Sequence, residues 1–117
     1  MSPLPLFAFG TLRRGESNHQ YLAGTYERVL PGILRDFRRG LAAHGFPAIA
    51  RCPLAHVEGE LYFLRSECYA EALRLCDQLE DLPPGQLVGR YYRRMDLVIE
   101  TAEGPYRAWV YADPNTV

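Results

Sequence analysis

Ser66-Glu67-Cys68-Tyr69-Ala70-Glu71-Ala72-Leu73-Arg74-Leu75-Cys76-Asp77-Gln78-Leu79-Glu80 is the strongest helical pattern in a chain whose other periodic segments read as strands. Tyr69, Ala72, Leu73, Cys76 and Leu79 recur at spacings of three and four, which lays one apolar stripe along a helix over 67–80. Ser66 can cap its start by accepting from an early backbone N–H. Pro83-Pro84-Gly85 forbids continuation shortly past its end. One main helix among many strands predicts an α+β domain, with a curved or closed sheet packed on that helix.

Working outward, residues 6–9 read as a short strand that runs into a short helix over 18–22. Residues 26–30 and 33–37 are apolar-rich runs interrupted by Pro31-Gly32, which predicts a bend or bulge. Residues 47–50 read as a short extended piece, and 56–64 as a strand alternating around Gly59. Residues 90–101 alternate at length, with Met95, Leu97 and Ile99 on one face. Glu103-Gly104 makes a turn and 106–112 return as the hairpin partner. Residues 113–117 read as a loose tail.

The 117 residues suit one domain, 1–117, with one core. At 48% hydrophobic and 23% charged the composition is globular. Net charge is −1, every basic residue is arginine, and the arginines are scattered, so nothing demands a nucleic-acid partner. No apolar run approaches the ~20 residues of a membrane helix, and the first residues lack the pattern of a signal peptide. Cys52, Cys68 and Cys76 are odd in number and have no metal-ligand spacing, which reads as reduced thiols in a cytoplasmic protein. His19, His44 and His56 are equally dispersed, with no HxH or HExxH pattern, so a metal site is not expected.

The stretch Phe7-Ala8-Phe9-Gly10-Thr11-Leu12-Arg13-Arg14-Gly15 ends a strand in a loop bounded by glycines. Such a turn brings successive backbone amides together into an anion-binding nest, although strand-turn-helix junctions with glycine are also common as plain connections. Gly10 to Gly15 has the spacing of a P-loop, but Glu16 stands where the lysine belongs and would repel a phosphate, which excludes nucleotide hydrolysis.

On a helical wheel Glu67, Glu71, Arg74, Gln78 and Asp81 fall opposite the apolar stripe, and Asp77 near its edge. Glu80 falls inside the stripe. An ionised carboxylate buried there costs several kcal/mol unless paired, and desolvation raises its pKa toward that of a base working near neutral pH. Three readings stay open: a catalytic base, a structural ion pair with Arg94, or a helix that frays before Glu80 and lets it reach solvent. A core-facing base and an amide cradle are the two parts that acyl transfer needs.

Four segments in order resemble the γ-glutamylcyclotransferase-like family, which includes the AIG2-like and γ-glutamylamine cyclotransferase proteins. Phe9-Gly10-Thr11-Leu12, followed by Arg13-Arg14-Gly15 and Asn18-His19, is similar to the family's Tyr-Gly-Thr-Leu substrate loop. Gly45-Phe46-Pro47-Ala48-Ile49 and Val57-Glu58-Gly59-Glu60-Leu61-Tyr62 resemble its central strands. Leu75-Cys76-Asp77-Gln78-Leu79-Glu80 resembles the segment ending in the catalytic glutamate. Tyr92-Arg93-Arg94-Met95-Asp96-Leu97 and Ala108-Trp109-Val110-Tyr111 resemble the final hairpin.

The resemblance implies a small mixed β-barrel with one main helix and a short N-terminal helix. It implies release of 5-oxoproline from a γ-glutamyl amine or small γ-glutamyl peptide, without metal or cofactor. Glu80 would be general base and acid, and the amides of Phe9, Gly10, Thr11 and Leu12 would hold a substrate carboxylate or carbonyl oxygen. Tyr92 and Tyr111 would line the pocket. Phe9 stands where the family has tyrosine, and Asp81 follows Glu80 where glycine is frequent, adding a negative charge beside the base. Two rival readings are a non-catalytic module binding a small carboxylate or acyl-amide metabolite, and an interaction protein using exposed aromatics such as Tyr91 or Trp109. The amine portion of the substrate and the oligomeric state stay open.

Overall fold

Alternation of side chains along the strands sorts the core into two layers. In the computed structural model, which describes residues 3–41 and 47–116, the strands are β1 (Leu6–Ala8), β2 (Tyr26–Leu41), β3 (Pro47–Leu64), β4 (Arg93–Thr101) and β5 (Gly104–Ala112). They close into a barrel in the order β1-β3-β2-β4-β5. β1 meets β5 in parallel, with Leu6 opposite Trp109, and the other pairs are antiparallel. Phe7, Leu61, Ile99 and Val110 pack on one side of the sheet. Leu6, Ala8, Tyr62 and Tyr111 pack on the other, against Ala72 and Cys76 of α1 (Tyr69–Leu79), the one α-helix among the described residues. The first layer is therefore the barrel interior, and the second joins barrel to helix.

Pro31-Gly32 makes neither bend nor bulge. The ladder runs unbroken through Pro31 opposite Glu60 and Gly32 opposite Gly59. Those two facing glycines make room for the Phe7 ring: a Cβ on Gly59 would lie 2.7 Å from Phe7 Cζ and 2.4 Å from the Ala8 carbonyl oxygen. Glycine is needed there for close approach, not for a turn. The register shifts of β2 lie elsewhere, between Tyr26 and Arg28 and between Arg35 and Phe37; at the second, Asp36 has φ 64° and its carboxylate accepts from the Leu54 amide at 3.1 Å. The pieces expected over 47–50 and 56–64 are one strand, β3, that runs past this irregularity. Gly45 and Phe46 of the family-like segment lie outside the described residues.

Ser66 does not cap the helix. It opens a 3-10 turn, Ser66–Cys68, whose Ser66 carbonyl accepts from the Tyr69 amide, and α1 starts only after it. The short helix expected over 18–22 is likewise a single 3-10 turn, His19–Tyr21. Gly15 and Gly24, both at positive φ, confine it to a length that cannot offset helix nucleation. The tail is tied down through Thr116: Asp113 donates to the Ile49 carbonyl, and Arg93 Nη1 donates to the Thr116 carbonyl at 2.7 Å. No described helix is long and apolar enough to cross a membrane.

Candidate active site

α1 ends in a hydrogen-bonded turn that decides where Glu80 goes. The Asp81 amide donates to the Gln78 carbonyl and the Leu82 amide to the Asp77 carbonyl, with Asp81 at φ 61°. This is a Schellman closure with aspartate in the left-handed position that usually takes glycine. Leu82 then drops into the layer that holds Ala72 and Cys76. Glu80 is thus the residue that ends the helix, not its last full member. Its side chain is held between barrel and helix end, neither frayed into solvent nor deep in the core. We expect Asp81→Gly to raise stability by about 1 kcal/mol in urea denaturation, by relieving the left-handed strain. A loss would mean that the aspartate side chain holds something worth more than that strain.

The segment between α1 and β4 folds back on this turn. The Arg94 amide donates to the Leu87 carbonyl, and the Gly89 amide to the Tyr92 carbonyl, each at 2.8 Å. Gly89 lies flat on the helix end, where a Cβ would come within 2.6 Å of the Asp81 carbonyl oxygen. That approach brings Tyr91 and Tyr92 to the cavity beside Glu80.

The cavity holds about 530 Å³, and all seven residues singled out in the sequence line it: Phe9, Gly10, Thr11, Leu12, Glu80, Tyr92 and Tyr111. Asn18, Gln78, Asp81 and Tyr91 line it too. Gln78 escaped the wheel because the cavity lies at the end of α1, where the side opposite the apolar stripe also reaches it. Tyr91 is part of the cavity wall, not a surface aromatic. Trp109 is partly buried as well, its indole N–H donating to the Tyr69 hydroxyl at 3.1 Å. The signal for Tyr91 was its position beside Tyr92 in a segment outside the strand, where alternation does not separate neighbours.

Glu80 has no ion-pair partner among the described residues. Burial alone pushes its carboxyl up to about 7, and Asp81 adds nothing resolved to that shift. Its charge is felt nearby. Burial and then Glu80 raise the Tyr92 phenol, and burial followed by Glu80 and Asp77 pushes the Cys76 thiol up to about 12. Cys76 is therefore an inert thiol at neutral pH.

Arg94 pairs with Asp77, not with Glu80. Its Nε and Nη2 reach the two carboxylate oxygens at 2.9 and 3.0 Å, and its guanidinium lies 4.3 Å over the Trp109 ring. The Tyr111 hydroxyl donates to Asp77 Oδ1 at 2.6 Å. Asp77 sits one turn before Glu80, so this pair fastens the end of α1 to β4 and β5 while leaving Glu80 in the cavity. Across the cavity, the amides of Gly10, Thr11 and Leu12 donate to no acceptor of the chain among the described residues. An unpaired carboxyl titrating near 7 and a short run of unpaired amides thus flank one hollow.

A model of the AIG2-like γ-glutamyl cyclotransferase family matches residues 6–116. The chain belongs to that family. Solved structures similar to this AIG2-like chain include YkqA from Bacillus subtilis, at 23% identity and TM-score 0.66 over 97% of the chain. They include PH0828 from Pyrococcus horikoshii, at 16% and 0.62 over 97%, of which the chain covers 80%. A structure described as a γ-glutamyl cyclotransferase matches at 15% and 0.62 over 96% of this chain and 67% of its own. The chain spans about a third of YkqA, 36% of its length. These likenesses concern the fold. A comparison with curated protein sequences finds no match. The AIG2-like barrel agrees with the mixed barrel that the resemblance implied and with the main helix that the apolar stripe predicted.

Proposed function

We infer that this protein is a cyclotransferase that releases 5-oxoproline from a γ-glutamyl amine or small γ-glutamyl peptide, with Glu80 as general base and acid. The observation that carries this reading is the unpaired Glu80 carboxyl, raised to about 7, in one cavity with the free amides of Gly10, Thr11 and Leu12. Membership of the family supports it, as does the fold shared with a γ-glutamyl cyclotransferase.

The substrate carries its own nucleophile, so tethering supplies much of the rate advantage. Glu80 takes a proton from the α-ammonium. The freed amine attacks the γ-carbonyl carbon, and the loop amides stabilise the oxyanion. The bond from that carbon to the leaving nitrogen then breaks as the Glu80 carboxylic acid returns the proton to the departing nitrogen, and the second proton shed by the ring nitrogen passes to the released amine. The products are 5-oxoproline and the amine as its ammonium. A carboxyl titrating near 7 suits both halves, because it accepts and releases a proton with little bias at neutral pH. Phe9 faces the cavity without the hydroxyl of the family's tyrosine, and Tyr92 and Tyr111 complete the wall. No step calls for a metal or a cofactor, and we place the reaction in the cytoplasm on a small-molecule substrate.

The test is to incubate the protein with a panel of γ-glutamyl amines and peptides and follow 5-oxoproline by mass spectrometry. Release with at least one member is expected. Stoichiometric binding without ring closure would identify a binding module in its place.

A further inference from the structure

The peptide planes between Gly10 and Arg13 are each held by their carbonyls. The Gly10 oxygen accepts from the Arg13 amide and from Arg13 Nε, both at 3.2 Å. The Thr11 oxygen accepts from the Asn18 amide at 2.9 Å. The Leu12 oxygen accepts from His19 Nδ1 at 2.8 Å. In a planar trans peptide the C=O of one residue and the N–H of the next point opposite ways. Holding the Gly10 and Thr11 carbonyls therefore turns the Thr11 and Leu12 N–H groups to the other side. Holding the Leu12 carbonyl aims the Arg13 N–H at the Gly10 oxygen and closes the turn on which the other two depend.

His19 does not line the cavity. Its ring is wedged against Tyr26 and Tyr62, with centroids at 5.8 and 5.9 Å, and Nε2 lies 3.2 Å from the Tyr26 hydroxyl. A carbonyl can only accept, so Nδ1 carries the hydrogen, and in the neutral ring Nε2 accepts from Tyr26. We propose that His19 is a positioning residue for the amide cradle: its Nδ1–H, held on the Leu12 carbonyl, aims the Thr11 and Leu12 amides at the ligand from outside the cavity. What those amides bind rests on the reading given under Proposed function.

The test separates the donor from the bulk of the ring. His19→Asn puts an amide nitrogen at the position of Nδ1, whereas His19→Gln carries it one bond too far. Both lose the ring packing and the Tyr26 contact, so both are expected to lose thermal stability alike. His19→Asn is expected to keep kcat/KM within about threefold of wild type, while His19→Gln and His19→Ala lose about ten- to hundredfold. Equal activity of the Asn and Gln variants, or an Asn variant as impaired as Ala, overturns the proposal. A second readout needs no substrate. Nitrogen-15 NMR of the wild-type imidazole is expected to show the Nδ1–H tautomer, and the Nε2–H tautomer overturns the proposal. Should wild type release no 5-oxoproline, the cyclotransferase reading fails by itself, and the tautomer still decides the role of His19.

Discussion

Glu80→Gln is expected to lower 5-oxoproline release by ~10²–10⁴-fold, the usual range for loss of a general base, while the fold stays intact. The amide is nearly isosteric and cannot take a proton from the α-ammonium. In wild type, kcat/KM should rise with pH through about 7, as Glu80 loses its proton. The same residue sets a stability signature of known sign. Below pH 4.5 Glu80 is neutral in both folded and unfolded chains and costs nothing. Between 4.5 and 7 the unfolded chain ionises first, so stability falls as pH rises, and above 7 the loss is complete. At about 1.4 kcal/mol per pH unit the loss is on the order of 3 kcal/mol. Glu80→Gln should therefore match wild type at pH 4 and exceed it at pH 8 in urea denaturation. Full 5-oxoproline release by the variant would remove Glu80 from the chemistry, and equal stability at both pH values would mean that its carboxyl is well solvated.

Asp77→Ala is the substitution expected to damage the structure most. Arg94 and Asp77 are only 11% and 19% exposed at the side chain, and the carboxylate also accepts from the Tyr111 hydroxyl. Removing it strands a guanidinium and a phenol, at about 3 kcal/mol for a broken buried pair. Arg94→Ala should cost a similar amount, and the double variant less than the sum, because the second loss no longer leaves a charge unpaired. Turnover should fall with each, since this pair fastens the turn of α1 that delivers Glu80. Additive effects in that cycle, or single variants within about 0.5 kcal/mol of wild type, would show that the pair does not hold the helix end.

The apolar spacing of Tyr69, Ala72, Leu73, Cys76 and Leu79 was enough to place α1, and the alternation of Met95, Leu97 and Ile99 to place β4. Both signals are local, because they follow from 3.6- and 2-residue periods and from which faces must be dry. The candidate site was legible for the same reason: a carboxylate at a stripe position and a glycine-bounded loop each violate a local rule. The partner of Arg94 was not legible. Asp77 and Glu80 lie one turn apart, and only the closing turn at Asp81 settles which of them meets β4. Pro31-Gly32 reads locally as a break, yet Gly32 lies opposite Gly59 because the Phe7 ring must fit between strands distant in sequence. Tyr91 joined the cavity wall because Gly89 can lie flat on the end of α1.

Sequence alone therefore determined the strand and helix periods, the single main helix and the residues that break its pattern. Apart from the hairpin of β4 and β5, which the Glu103-Gly104 turn announced, tertiary structure decided the pairings. Hydrogen bonds and ion pairs between segments depend on the closure of the barrel and the turn at the helix end, and no local period encodes either.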